Sequence, residues 1–215
     1  MPRCKNCKDK FKAKHFLQKY CLEKDECIKA FLESMREKNK KDEAKVWNEQ
    51  KKELKLSLKK HSEWISDLED EINPICRLID FECSCISCEG NGKPQAGHYH
   101  TVASDGTIRF NLHNIHLQDY HCNVEKSANI IGYDEGLIRV YGRDYWEYVK
   151  FGLKNIYHQP LKLSIPEIKL FIEKARAIKK RLEKNKIYRT PDERIKLRDQ
   201  INEEIGIYRF KFVDN

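Results

Sequence analysis

Two short ligand pairs with the same spacing stand out in the middle of the chain. Two residues separate Cys85 from Cys88 in the segment CISC, and two residues likewise separate Asp119 from Cys122. Thiolates bind zinc well, and a carboxylate oxygen is an accepted zinc ligand. The pairs therefore predict a structural zinc site. His121 competes with Asp119 for the fourth position, because the spacing favours Asp119 whereas the chemistry of zinc favours imidazole.

A second group of thiols lies near the N-terminus. It has the spacing C-x2-C-x13-C-x5-C, formed by Cys4, Cys7, Cys21 and Cys27. Four thiolates in this pattern predict a second tetrahedral zinc site, with His15 as an alternative to Cys27 because the last gap is wide. Cys76 and Cys83 have no partner pair, so we interpret them as core thiols.

Composition favours a soluble protein with a polyanionic partner. The 215 residues carry 42 Lys and Arg against 34 Asp and Glu, for a formal net charge of +8. Excess positive charge favours nucleic acid, since it neutralises phosphates. No apolar run is long enough to cross a bilayer, and MPRCKNCKDKFKAKHF has no apolar segment typical of a secretory signal. We therefore expect a cytoplasmic protein, no membrane partner, and cysteines that bind metal instead of forming disulfides.

Helical patterns precede and follow the central segment. Residues 28–61 predict a charged helix that exposes most of its surface, and SEWISDLEDEI predicts another. We expect Asn73 and Pro74 to break or kink that second helix and to begin a short one over ICRLIDF. Capping boxes, SIPE and TPDE, predict two more helices beginning after Ser164 and Thr190. The tail YRFKFVDN is expected to be a short strand or a docked extended segment.

Between the central ligand pairs, the sequence predicts a β-hairpin. AGHYHTVA is the expected first strand, Asp105-Gly106 the turn, and TIRFNL the return strand, with a helix beginning near Cys122. The fold class is therefore mainly α, with small zinc-stabilised α+β modules. We predict a zinc module over residues 1–27, a helical arm over 28–72, a core that contains the zinc-stapled hairpin over 73–150, and a helical region over 151–215.

The order of these motifs resembles a known family. CISC…AGHY…RFN…NIH.Q…CN..KS.N is similar to the NinG (Rap) recombination endonucleases of lambdoid phages, most clearly over residues 83–129. The central part also resembles the HNH, or ββα-metal, nuclease core. The resemblance implies such a core flanked by long helices. It also implies a metal-dependent endonuclease that cuts branched recombination intermediates, such as Holliday junctions and D-loops, in the cytoplasm of the bacterial host.

The resemblance also implies roles for three residues. His98 would be the general base, and Asn114 would orient that base or the hairpin. Asn123 and His98 would help to hold a catalytic Mg²⁺ or Mn²⁺. Two positions depart from the pattern. Asp119 stands where the family favours Cys, and Gly97 stands where wider HNH enzymes often have an acidic metal ligand. The cation would then need another ligand, for which the candidates are Asp105, Asn111, His113 and His116.

Each role has a structural alternative. His98 is alternatively a zinc ligand or a packed histidine, Asn114 the cap of a turn, and Asn123 a helix N-cap. Arg109 and Lys126 are candidate phosphate contacts, or ordinary surface charges. His100, His113 and His116 fit polar groups of the scaffold.

Three hypotheses for function follow. The first is a DNA endonuclease with branched or double-stranded DNA as substrate, a homodimer joined through the long charged helix, and phage or host recombination proteins as partners. The second is a zinc-stabilised DNA-binding recombination adaptor without catalysis, and the third is a helical scaffold that binds proteins. His98 beside a hard cation discriminates among them, because a protein that only binds DNA has no use for a general base.

Overall fold

The chain divides into two compact units, residues 1–59 and residues 60–215, and a computed structural model describes residues 1–212 of it. The helices are α1 (Asp25–Ser57), α2 (His61–Ile79), α3 (Ile130–Tyr141), α4 (Arg143–Glu147), α5 (Leu153–Ile156), α6 (Ile165–Lys184) and α7 (Pro191–Ile205). The strands are β1 (Pro94–His98) and β2 (Ile115–Asp119). The fold is therefore mainly helical with one small sheet, and none of the helices within residues 1–212 is long and apolar enough to span a bilayer.

The N-terminal unit contains a small core of thiols and aromatic rings. Cys4, Phe11, Tyr20, Cys21 and Cys27 are buried together. The last of these lies in the first turn of α1 and is that helix's one buried residue among those described. The rest of α1 is exposed or half-buried, as its charged sequence predicts. A core of this size provides little stability by itself. Very small modules generally need a bound metal or a disulfide to stay folded.

Helix α2 passes through Pro74 without ending, so the predicted break at Asn73-Pro74 is wrong. Its buried residues continue one stripe on both sides of the proline: Trp64, Leu68, Ile72, Ile75, Cys76 and Ile79. Proline removes one helical hydrogen bond, but the whole stripe is buried in a core shared with α6 and α7. Asn73 caps no helix, and its Oδ1 is buried without a hydrogen-bond partner. Tertiary packing therefore outweighs the local signal.

The hairpin forms from a different pair of segments than predicted. Strand β1 pairs antiparallel with β2, with Gly97 opposite His116 and His98 opposite Ile115. The predicted return strand TIRFNL is instead part of the connection that spans residues 99–114, where Asp105-Gly106 also lies. Ile108 packs into one hydrophobic core, whereas Phe110 and Leu112 pack into another. The alternation of polar and apolar residues in TIRFNL therefore belongs to a loop that packs between two hydrophobic cores, and not to a strand.

After β2 the chain makes one π-helical turn, His121–Glu125, and α3 begins only at Ile130. The helix predicted near Cys122 is therefore this single turn. It ends in a left-handed stretch, with φ of 49° at Ser127, 74° at Ala128 and 42° at Asn129. L-residues rarely adopt such angles unless surrounding contacts require them.

Both predicted capping boxes are present. The Ser164 and Thr190 side chains accept hydrogen bonds from the backbone of Glu167 and Glu193 and begin α6 and α7. The described part of the tail is a docked extended segment and not a strand, because Tyr208 is buried and Phe210 and Phe212 pack against a core. Residues 213–215, the end of the predicted tail element, lie outside the described residues.

Candidate functional site

The four N-terminal cysteines meet in a geometry that suits zinc. All four sulfur atoms lie within 4.8 Å of one another. Cys4 Sγ lies 3.7 Å from Cys27 Sγ, and Cys7 Sγ lies 3.9 Å from Cys21 Sγ. A tetrahedral site with Zn–S bonds of about 2.3 Å places sulfur atoms about 3.8 Å apart, whereas a disulfide needs about 2.05 Å. His15 is exposed and lies outside this group, so Cys27, and not His15, completes the set that could hold zinc.

Backbone groups prepare this cluster for a cation. Burial alone would raise the pKa of Cys4, but backbone N–H groups of Cys21, Cys7 and Asn6 lower that pKa to about 6. The backbone N–H of Asp9 lowers the pKa of Cys7, yet burial and the neighbouring cysteines raise it to about 12. Four thiols this close cannot all ionise without positive charge between them, so the fully deprotonated set requires a metal ion.

The second cluster contains the predicted Asp119. Cys85, Cys88, Asp119 and Cys122 bring their ligand atoms within 4.8 Å of one another, and Cys88 Sγ lies 3.1 Å from Asp119 Oδ2. The backbone N–H of Cys122 donates to Asp119 Oδ1 at 2.7 Å and is the main cause of the lowered pKa of that carboxyl. His121 is exposed and pairs with Glu125, outside the cluster. The structure therefore brings Asp119, and not His121, to a site that could hold zinc.

His98 lies at the end of β1 in a set of contacts that orient its ring. Its Nε2 is 2.9 Å from the carbonyl oxygen of Arg109 and 3.8 Å from Glu69 Oε1. Because a carbonyl oxygen only accepts, Nε2 must carry the proton, and Nδ1 is the acceptor of the neutral ring. Burial lowers the pKa of His98, against the opposing effects of the Arg109 carbonyl and the Glu69 carboxylate. His98 is therefore neutral near pH 7, and it belongs to neither cluster of candidate zinc ligands among residues 1–212.

Asn114 is fully buried and holds the connection that follows β1. Its Oδ1 accepts from the backbone N–H of His100 at 2.8 Å, and its Nδ2 donates to the His100 carbonyl at 3.0 Å and the Ile108 carbonyl at 3.4 Å. The Asn114 side chain thus makes the two hydrogen bonds to the backbone of His100 that a neighbouring strand would otherwise make. This arrangement fixes the backbone two residues beyond His98, and the orienting role of Asn114 at the catalytic site stays a prediction.

Asn123 lies inside the π-helical turn and is half-buried. Its backbone carbonyl accepts from the Ala128 N–H at 3.1 Å. Neither that turn nor α3 has Asn123 as its N-cap residue, since Tyr120 and Asn129 occupy those positions. Its predicted part in holding a cation stays a prediction.

The four other candidate cation ligands have partners within the protein. His113 contacts Tyr145 and Asp199 through its two ring nitrogens, and His116 contacts Tyr133 and Tyr145. Asn111 Oδ1 accepts from the His113 N–H and from Asn202. Asp105 Oδ1 accepts from Thr107. All four serve the scaffold in this structure, as expected for the two histidines.

Comparison with known proteins decides the family. The family model described as Bacteriophage Lambda NinG protein matches residues 1–185 of the chain. The chain belongs to the NinG family. Among curated relatives, protein ninG of Escherichia phage 933W is 33% identical over 153 residues, which cover 66% of this chain and 76% of that protein. Protein ninG of Escherichia phage lambda is 40% identical over 92 residues, or 42% of this chain and 45% of its own length. Protein ninG of Salmonella phage P22 is 40% identical over 90 residues, or 41% of this chain and 44% of its own length. No solved structure matches the chain.

The remaining charged candidates of this NinG chain differ in their surroundings. The Arg109 guanidinium forms a salt bridge with Glu69 and is mostly buried, whereas Lys126 is exposed after the π-helical turn. Lys126 is therefore accessible to a phosphate, while Arg109 first neutralises a carboxylate. Glu69 was not predicted from the sequence, because this residue lies in α2 with no motif around it. The one feature of the sequence that could have indicated Glu69 is its position in α2 beside the buried Leu68 and one helical turn before the buried Ile72.

Proposed function

We propose that this NinG-family protein is a metal-dependent DNA endonuclease of the HNH type that cuts branched recombination intermediates, such as Holliday junctions and D-loops. The observation that carries the proposal is the orientation of His98. Its Nε2 faces the Arg109 carbonyl, which leaves Nδ1 as the proton-accepting atom of a neutral imidazole. Phosphodiester hydrolysis requires a group that removes a proton from water, and neutral histidine is suited to that step.

The surroundings of His98 support the role of a base. The Glu69 carboxylate lies beside the protonated Nε2 and stabilises the positive charge that the ring acquires on accepting a proton. The salt bridge with Arg109 holds Glu69 in place. Nδ1 cannot accept a proton from water and bind a cation at once. In this ring orientation the proton-accepting role therefore excludes the metal-binding role for His98.

A donor near the hairpin suits a hard cation. Asn123 is half-buried in the turn after β2, and its side chain carries an amide oxygen. Amide oxygens suit Mg²⁺ and Mn²⁺, whereas the thiol clusters suit zinc. When bound, such a cation stabilises negative charge on the phosphate. Two structural zinc ions and one catalytic Mg²⁺ or Mn²⁺ are thus the proposed cofactors.

The proposed partners follow from charge and from the symmetry of the substrate. The net charge of +8 favours DNA, with Lys126 and Arg109 as candidate phosphate contacts. A branched junction has near-twofold symmetry, which a homodimer with two sites would match. Helix α1 exposes Leu32, Val46, Trp47 and Leu54 and is the candidate dimer contact. Recombination proteins of the phage or host are further proposed partners in the host cytoplasm.

Cleavage of a labelled four-way junction tests the proposal. Zinc-loaded wild-type protein should cut with Mg²⁺ or Mn²⁺ and stop when EDTA is added. His98→Ala should bind the junction but cut at least about 100-fold more slowly, as expected for loss of a general base. The matched control is His158→Ala, because His158 is exposed; this variant should cut like the wild type.

Two results would contradict the proposal in different ways. If His98→Ala cuts as fast as wild type, the assignment of the base is wrong. If wild-type protein with its full zinc content binds DNA but never cuts branched or duplex DNA in any divalent metal, the non-catalytic adaptor hypothesis replaces the endonuclease.

A further inference from the structure

One helical segment, residues 143–156, presents an aromatic ring to solvent. It consists of α4, a π-helical turn (Tyr148–Gly152) and α5. One face of the segment packs into a hydrophobic core through Tyr145, Tyr148, Val149 and Leu153. Phe151 lies within the π-helical turn and is 53% exposed. Because π-helical turns occur frequently at functional sites, this ring is a candidate contact for a partner.

Polar contacts hold the ring that supports Phe151. Trp146 meets Phe151 edge to face, with the ring centroids 6.0 Å apart. Trp146 Nε1 donates to Asp134 Oδ1 at 2.6 Å, and Lys150 Nζ donates to Asp134 Oδ2 at 2.9 Å. These bonds fix the indole against α3, which carries Asp134. A surface that is ordered before binding loses little conformational entropy when a ligand arrives.

Cations lie beside both rings. Lys150 Nζ is 4.7 Å from the centroid of the Trp146 ring and 5.8 Å from that of Phe151. The guanidinium carbon of Arg143 is 5.8 Å from the Trp146 ring. Lys154 lies three residues beyond Phe151 and so extends the same helical face. Lys150 already has a carboxylate partner, whereas within residues 1–212 neither Arg143 nor Lys154 forms a salt bridge. These last two cations are therefore available to phosphates.

The segment is fastened to the connection that follows β1. His100 Nε2 lies 2.9 Å from the carbonyl oxygen of Val149. His100 is two residues beyond His98, the proposed base, and Val149 is two residues before the exposed ring. Burial lowers the pKa of His100, and the positive charge of Lys154 adds to that shift. A DNA strand that contacts the ring and Lys154 therefore also passes near the segment that carries His98.

A single exposed ring suits a nucleobase better than a protein surface. Phe151 is the one large apolar side chain that is exposed among residues 132–169, all of which the structure describes. Stable protein interfaces bury about 1,000 Å² or more, whereas one base stacks on one aromatic ring. We propose that Phe151 stacks on an unpaired base in the single-stranded part of a branched DNA, while Arg143 and Lys154 contact the neighbouring phosphates. This inference rests on the proposed function for DNA as the partner.

Acidic side chains make the ring, and not charge, the selective contact. Asp144 and Glu147 lie on α4 beside the cations, so the segment attracts double-stranded DNA only weakly. The bases of a duplex stack on one another and leave no face for Phe151, whereas a single strand offers one. Loss of the ring should therefore weaken binding to DNA that contains a single strand and spare binding to duplex DNA.

Fluorescence anisotropy of a labelled D-loop and of a labelled duplex of the same length, without added Mg²⁺ or Mn²⁺, measures binding apart from cleavage. Phe151→Leu keeps an apolar side chain but removes the ring. It should weaken D-loop binding about tenfold and change duplex binding by less than about twofold. Phe151→Trp should bind the D-loop at least as tightly as wild type, because it restores a ring. The matched control is Tyr188→Leu, because Tyr188 is 55% exposed elsewhere in the residue 60–215 unit; this variant should bind both DNAs like wild type.

Equal D-loop affinity of Phe151→Leu and wild type would overturn the proposal. So would an equal loss of affinity for D-loop and duplex, since Phe151 would then serve only the scaffold. If Phe151→Leu does not fold, Arg143→Gln/Lys154→Gln keeps the test decisive. Each phosphate contact to a single strand contributes about 0.7 to the slope of log affinity against log salt, so this variant should reduce the slope for the D-loop by about 1.4. An unchanged slope would refute the phosphate contacts.

The two proposals fail separately. If wild type cuts DNA but Phe151→Leu binds the D-loop normally, the stacking contact is wrong and the endonuclease stands. If wild type never cuts, yet Phe151→Leu loses affinity for the D-loop alone, the ring contacts DNA and the endonuclease proposal is wrong.

Discussion

Three polar residues of the hairpin region differ in which of their atoms the protein already satisfies. Asn114 uses its side chain fully, His98 has one ring nitrogen engaged by the Arg109 carbonyl, and Gln118 leaves its oxygen without a hydrogen-bond partner against the Gly97 backbone. A fully bonded buried group serves the scaffold, whereas the second ring nitrogen of His98 is available to a ligand. Residue type alone does not reveal this difference, because asparagine and glutamine carry the same amide.

We expect Asn114→Ala to destabilise the residue 60–215 unit by about 2–4 kcal/mol, because the N–H and carbonyl of His100 lose their partner inside the protein. Differential scanning calorimetry of the zinc-loaded protein measures the change. Asn155→Ala is the matched control, since Asn155 is exposed, and it should change stability by less than about 0.5 kcal/mol. A melting temperature of Asn114→Ala equal to that of wild type would show that the loop does not depend on this side chain.

At the level of elements, a ligand pair such as Cys85 and Cys88 is positioned by its own turn, whereas each strand is positioned by pairing with a segment far away in sequence. Cys85 and Cys88 lie in one tight turn, where the backbone N–H of Glu89 donates to the Cys85 carbonyl at 2.9 Å. Asp119 reaches them only because β2 pairs with β1 and places its last residue opposite Pro94. Zinc held by this second cluster would therefore stabilise the hairpin, and the hairpin would in turn position Asp119 for zinc, which is why a weak ligand at position 119 matters.

Asp119→Cys should raise zinc affinity of the second site, because a fourth thiolate binds zinc more strongly than a carboxylate does. Competition with a chromogenic chelator should show slower and less complete zinc release, starting from about two zinc ions per chain. Asp119→Ala should release one of the two more readily. His121→Ala should behave like wild type, since His121 pairs with Glu125 outside the cluster; loss of zinc from this variant instead would reassign the fourth ligand.

At the level of the residue 60–215 unit, buried polar groups connect its two cores. Arg198 is fully buried and its Nη2 donates to Asp80 Oδ2 at 2.7 Å, which joins α7 to the end of α2. His113 and His116 extend the connection to Tyr145 of α4. Burial lowers the pKa of both histidines, that of His116 well below its ordinary value. The network therefore requires both imidazoles to be neutral.

This requirement predicts acid sensitivity. Below about pH 6.5 the unfolded chain binds protons on these histidines that the folded chain does not, so the free energy of unfolding decreases as the pH falls. Between its lowered pKa in the folded protein and the ordinary pKa near 6.5, such a histidine contributes a slope of at most about 1.4 kcal/mol per pH unit. Urea denaturation at pH 7.5 and pH 5.5 measures the slope. His116→Gln should show a shallower slope than wild type, and equal slopes would mean that His116 titrates normally in the folded protein.

Much of the helical fold is readable from the sequence because its signals are local. The capping boxes at Ser164 and Thr190 act over three residues, and the apolar stripes act over a few turns. Pro74 shows the limit of such reasoning, because a local rule predicts a break that packing across α2 overrides. TIRFNL shows another limit, since its alternation of polar and apolar residues belongs to a loop whose apolar side chains enter two different cores.

By itself, the sequence determined the NinG resemblance, the thiol clusters, the capped helices and the positive charge. These features depend on residue types and short spacings, which no tertiary contact changes. The choice of Asp119 over His121, the return strand at Ile115–Asp119, the contact of Glu69 with His98, and the entry of Gln118 into the space beside Gly97 arose only in the folded chain. Each depends on segments far apart in sequence, and their meeting is set by how the helices and the hairpin pack.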